Sequence, residues 1–138
     1  ISKEAKNLMQ ITKECFFEGI KYAREGNHLF DISGAIGRYA EERGYGVVRD
    51  LCGHGIGTAL HEAPEIPNYE VGRKGVKLRP GMTLAIEPMI NIGTYEVDWL
   101  DDDWTVVTRD GSLSAHYENT ILITEGEPRI LSLTCDNE

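Results

Sequence analysis

The sequence has 138 residues, with 14 Lys and Arg against 23 Asp and Glu, a formal charge of −9. That length suits one domain, or part of a larger one, with enough chain to bury a core, and 41% hydrophobic with 27% charged residues is a globular rather than a disordered composition. An acidic balance without a Lys/Arg cluster argues against direct nucleic-acid binding, and no apolar run nears the roughly 18–20 residues that cross a bilayer, so neither nucleic acid nor membrane is expected as a partner.

In chain order, two amphipathic helices come first. From about Ser2 to Ala23, apolar residues recur at three- and four-residue steps (Leu8, Ile11, Cys15 and Met9, Phe16, Ile20, Ala23) until Gly26-Asn27 interrupts them. From about Leu29 to Arg43, Ile32, Ala35, Ile36 and Tyr39 share a stripe, and Gly44 stands where a left-handed cap ends a helix. After Gly46 the period falls towards two. Strands are predicted at Gly46–Arg49, Met82–Ile92, Trp104–Thr108, His116–Thr124 and Arg129–Leu133, with a Gly- and Pro-rich connection over Glu62–Pro80. Helices followed by an antiparallel sheet predict an α+β domain without internal repeat or linker. Cys15, Cys52 and Cys135 show no CxxC spacing, which disfavours a disulfide framework or a cysteine zinc site and fits a reducing, cytoplasmic setting. The chain opens at Ile1 without an initiator Met, which predicts processing or a piece of a longer protein.

The chemistry concentrates at three places. In Met82–Glu87 the alternation puts Met82, Leu84 and Ile86 on one face and Thr83, Ala85 and Glu87 on the other, while Pro88 keeps Glu87 extended. In the last long strand His116, Glu118 and Thr120 project opposite to Tyr117, Ile121 and Ile123. A glutamate on an antiparallel strand is ordinarily solvated surface. The third place changes the weighing: Gly53-His54-Gly55-Ile56-Gly57 followed by His61-Glu62 sets a histidine among glycines, where backbone can approach closely. One imidazole with two carboxylates is a ligand set for Zn, Mn, Fe or Co rather than Ca or Mg. His61 alone reads more readily as a solvated loop histidine, and Trp104 equally as a core aromatic.

Cys52 to Gly57 with His61-Glu62-Ala63-Pro64, then Leu78-Arg79-Pro80-Gly81-Met82-Thr83-Leu84-Ala85-Ile86-Glu87-Pro88-Met89, then Trp104-Thr105-Val106 and Ser114-Ala115-His116-Tyr117-Glu118-Asn119-Thr120 resemble type I methionine aminopeptidases in order, type and interval. Asn119 stands where those enzymes commonly carry histidine. The resemblance implies half of a pita-bread fold, with residues 1–138 as the C-terminal part of one metallopeptidase domain whose N-terminal half is absent. It implies His54, Glu87 and Glu118 as ligands in a site for two divalent ions (Co, Mn, Fe or Zn), with Glu118 bridging. It implies His61 at the scissile carbonyl, Glu87 as proton shuttle, and Leu60, Met89 and Trp104 around the substrate methionine. Two further aspartate ligands and a catalytic histidine are expected from the missing half, since Asp50 and the Asp98–Asp103 cluster stand in the wrong context. The chain alone is therefore expected to hold at most one metal weakly and to be inactive. Its expected partners are the N-terminal methionine of peptides or nascent chains, and the missing half or a second copy on its exposed surface. Two alternatives share the fold: an Xaa-Pro peptidase, whose last glutamate usually follows an Arg-x pattern, and a non-catalytic pita-bread binding module, in which the metal ligands are typically lost.

Overall fold

The computed structural model describes residues 1–103 and 105–132. Trp104 and the end of the last predicted strand, from Leu133, lie outside the described residues. Helix α1 covers Lys3–Ile20 and α2 covers Leu29–Glu42. Ser2 caps α1 by accepting the Ala5 N–H at 3.1 Å. The helix stops short of the predicted Ala23, where the Tyr22 and Ala23 N–H groups turn back to the carbonyls of Gly19 and Ile20. Asp31 accepts the His28 N–H at the start of α2. At its end Gly44, at φ 85°, lets Gly44 and Tyr45 donate to the carbonyls of Glu41 and Ala40.

Ten short strands follow: β1 (Gly46–Val47), β2 (Gly53–Gly55), β3 (Glu62–Ile66), β4 (Thr83–Ile86), β5 (Met89–Asn91), β6 (Val97–Trp99), β7 (Val106–Thr108), β8 (Ser114–His116), β9 (Asn119–Leu122) and β10 (Arg129–Ile130). They form a five-stranded sheet ordered β10-β9-β4-β2-β3, a three-stranded sheet ordered β1-β5-β8, and the pair β6-β7. All pairings are antiparallel. Phe16, Leu8 and Cys15 of α1 and Ile32, Ile36 and Ala40 of α2 cover a face made by Leu84, Ile86, Ile90, Ile121 and Ile123. Each fully buried large side chain contributes about 1.5–3 kcal/mol to that core. The predicted division of faces holds, with Met82 and Tyr117 packed against the same core.

Two predicted strands are corrected. Met82–Ile92 is β4 and β5, in different sheets, broken at Glu87-Pro88 because proline has no N–H for the ladder. His116–Thr124 is the end of β8 and then β9, broken at Tyr117-Glu118. The break does not shift the pairing. Thr83 opposes Leu122 and Ile86 opposes Asn119 on one side of it, and Met89 opposes His116 on the other, in one continuous register. Glu87 thus falls opposite Glu118 in the gap, across which the Tyr117 N–H donates to the Pro88 carbonyl at 3.1 Å. The predicted connection Glu62–Pro80 contains β3, which pairs with β2 and was hidden by its own Pro64.

Candidate metal centre

The face opposite the helices carries the polar groups. His54 on β2 opposes Ala85 on β4, which in turn opposes Thr120 on β9, so these three share that face. Two residues further along each strand of the β4–β9 ladder come Glu87 and Glu118. Two successive rows of that face therefore bring an imidazole beside two carboxylates. Ligand atoms of His54, Glu87 and Glu118 all lie within 4.8 Å of one another, and His54 Nε2 is 2.9 Å from Glu87 Oε2.

Glycine is what admits β2 to this position. A Cβ on Gly53 would stand 2.3 Å from the Ala85 carbonyl oxygen, and one on Gly55 would stand 2.3 Å from that of Ala63. The neighbouring backbones fill the space of both missing side chains. His54 Nδ1 sits 2.9 Å from the Gly55 carbonyl, a contact that orients the ring so that Nε2 faces Glu87. Asn68, fully buried, donates from Nδ2 to the Glu87 carbonyl at 2.9 Å and fixes that backbone where the strand breaks.

The pKa values of Glu87 and Glu118 shift in opposite directions. Burial raises the Glu118 carboxyl above the ordinary glutamate range, and the Glu87 charge adds to it. Burial also raises Glu87, but His116, Glu118 and His54 together outweigh it and leave that carboxyl below its ordinary value. The facing Glu87 carboxylate raises the His116 imidazole against the effect of burial. A divalent cation bound between the two acids would neutralise their charge and favour the ionised form of both. The donor set, nitrogen and carboxylate oxygen in one partly buried cluster, fits a transition-metal ion.

The remaining predicted residues take different positions. The His61 ring lies 4.1 Å from the His54 ring, centroid to centroid, and is exposed. Met89 is half-buried and walls an apolar cavity of about 260 Å³ with Val48, Leu51, Val97, Val106 and His116. Leu60 does not join that cavity; it is 70% exposed. Two residues enter the site without a role from the sequence. His116 shares a face with Glu118 by strand alternation, a signal already present in the pattern. Asn68 sits in a loop between two Pro-containing stretches and left no periodic trace.

The model of metallopeptidase family M24 matches residues 1–125. A methionine aminopeptidase of Clostridium acetobutylicum is 57% identical over 133 residues, which cover 96% of this chain and 53% of that protein. The crystal structure of methionine aminopeptidase from Rickettsia prowazekii aligns with a TM-score of 0.93 at 44% identity, covering 96% of this chain and 54% of the other. Prolidase from Pyrococcus furiosus aligns with a TM-score of 0.71 at 25% identity, covering 96% of this chain and 34% of the other. The chain spans about half the length of the curated relatives it matches. With the family match running through all three motifs that build the His54–Glu87–Glu118 cluster, the chain belongs to metallopeptidase family M24 and has the architecture of half its pita-bread α+β fold.

Proposed function

We propose that this chain supplies the C-terminal half of the catalytic domain of a methionine aminopeptidase, a metal-dependent hydrolase that removes the N-terminal methionine from peptides and nascent proteins. The observation that carries this reading is the convergence of His54, Glu87 and Glu118 within 4.8 Å, in a chain that is 57% identical to a methionine aminopeptidase. The greater likeness to methionine aminopeptidases than to prolidase, in both identity and TM-score, favours methionine over proline specificity.

His54, Glu87 and Glu118 would hold a divalent ion (Co, Mn, Fe or Zn), and Glu118, with aspartates from the other half, would help to hold a second. When bound, such ions supply Lewis acidity and a water activated near neutral pH. His61, whose ring lies tilted against that of His54, donates to the substrate carbonyl oxygen as negative charge develops there. Glu87 carries a proton from the nucleophile to the leaving amine. Met89, on the wall of the apolar cavity, and Trp104 bound the methionine side chain, and Leu60, outside that cavity, contacts it from its exposed position.

By itself the chain holds one metal weakly and has little activity, because half of the ligand set is contributed by other polypeptide. That polypeptide, or failing it a second copy of this chain, covers the groove that exposed Ile1 and Met9 form with Tyr117 beside α1. The test is complementation in Mn²⁺ with Met-Ala and Xaa-Pro peptides. The chain alone should release little methionine, and adding the separately produced first half of a full-length relative should restore release from Met-Ala only. Full activity of a monomeric chain, or release from Xaa-Pro peptides instead, would overturn the reading.

A further inference from the structure

We propose that Asn68 is a positioning residue of the metal centre, its side-chain amide holding the Glu87 backbone so that the carboxylate stays in reach of His54 and Glu118. Asn68 has this role only if the cation centre proposed above exists, and it acts without touching an ion.

The least supported part of the centre is the peptide between Glu87 and Pro88. Proline carries no N–H, so this unit has one polar group, the Glu87 carbonyl, and it lies where β4 ends in one sheet and β5 begins in another. The ladder supports the chain on either side, through Ile86 paired with Asn119 and through the Tyr117 N–H on the Pro88 carbonyl. Asn68 Nδ2 donates to the Glu87 carbonyl between these two points, at 2.9 Å. A turn of about 15° at Glu87, carried over the roughly 4 Å from Cα to the carboxylate, would displace its oxygens by about 1 Å, about twice the tolerance of a preorganised site.

Asn68 is itself held in place. It is fully buried and follows β3, whose Ile66 pairs with Gly53 beside His54. Helix α2 backs it: a Cβ on Gly37 would stand 2.8 Å from Tyr69 Cα and 3.3 Å from the Asn68 carbonyl oxygen. The amide thus links the strand pair that carries His54 to the break that carries Glu87. Its orientation follows from chemistry, since a carbonyl accepts only from the NH₂ end. The other end, Oδ1, is buried and has no hydrogen-bond partner among the described residues, which costs the fold stability. A leucine of similar size would avoid that cost, so what the amide offers here is the bond to Glu87.

The experiment compares three variants of the purified chain. Asn68→Leu fills the same space without a donor, and Asn68→Ala removes the donor and leaves room. Ile36→Val trims the core where α2 meets Gly19 of α1 and lowers stability without removing the donor to Glu87. Zn²⁺ affinity is measured by competition against a chromophoric chelator, the visible spectrum with Co²⁺ reports ligand geometry, and urea unfolding reports stability. Both Asn68 variants should bind Zn²⁺ about 10–100-fold more weakly than the parent and alter the Co²⁺ bands, while Ile36→Val should lower the urea midpoint and keep both metal readouts. Parent-like Zn²⁺ affinity in either Asn68 variant, or a weakening by Ile36→Val as large as theirs, would overturn the positioning role and leave the three-ligand centre intact. If the parent chain takes up no Zn²⁺, the metal centre itself is wrong, and the role of Asn68 falls with it.

Discussion

Gly53→Ala places a Cβ 2.3 Å from the Ala85 carbonyl oxygen. Cβ atoms essentially never approach another atom closer than 3.0 Å, so β2 and β4 must part by about 0.7 Å at this point. The obstacle is backbone in the central strand of a five-stranded sheet and has no rotamer to escape into. The cost should fall at the upper end of overpacking penalties, about 2–3 kcal/mol. Gly57→Ala is the control: its Cβ would meet Glu62 Oε1 at 2.6 Å, the free end of a flexible side chain, and it should cost less than about 1 kcal/mol. Urea unfolding followed by circular dichroism measures both, and Zn²⁺ titration measures whether His54, next in sequence to Gly53, has moved. Gly53→Ala should lose stability and affinity together, and Gly57→Ala should keep both. A Gly53→Ala chain as stable and as metal-competent as the parent would refute the idea that close approach of β4 dictates glycine beside His54.

Asn68→Ala removes the donor to the Glu87 carbonyl and leaves that acceptor unpaired, so urea unfolding should show a loss of about 1–3 kcal/mol; a change under about 0.3 kcal/mol would mean that solvent replaces the bond. Asp110 tests the acid side. The Ser112 hydroxyl and the Thr94 and Ser112 N–H groups hold its carboxyl at about 2, against an ordinary value of 3.8. The folded chain binds that proton less readily than the unfolded chain, so the stabilisation is complete above the unfolded value and disappears as the pH falls through about 2. A carboxyl ¹³C titration should place Asp110 near 2, and Asp110→Asn should remove this part of the acid dependence of unfolding; a midpoint near 3.8 would contradict it.

The two helices are legible because Leu8, Cys15, Ile32 and Ile36 recur at helical spacing and Gly44 marks the end of the second with a left-handed cap, whereas the caps formed by Ser2 and Asp31 emerge only in the structure. The facing of Glu87 and Glu118 is legible by alternation, since each falls opposite the apolar side chains at a period of two, and the Gly-His-Gly segment is what marks them as more than surface. Pattern does not disclose that Pro88 passes one run of residues from one sheet to another, because hydrophobic alternation is the same in both. Strand β2 is illegible for a related reason. Gly-His-Gly offers no apolar side chain to count, and its strand character comes from backbone packed between β3 and β4. Strand β6 lies among Glu96, Asp98 and Asp101, where charge masks Val97 and Trp99. Convergence of ligands on separate strands is a property of register, and register appears only when the partner strands are seen.

The single register kept across the break, from Thr83–Leu122 to Asn91–Ser114, decides where this chain tolerates insertions and deletions. Residues between Ile92 and Leu113 form an excursion that can lengthen or shorten without altering which side chains lie across from each other. One residue gained between Thr83 and Glu87, by contrast, would turn Glu87 over to the helix-covered side and slide His116 out of step. Homologous chains should therefore differ in length in the excursion and keep the spacing of the two ladder halves.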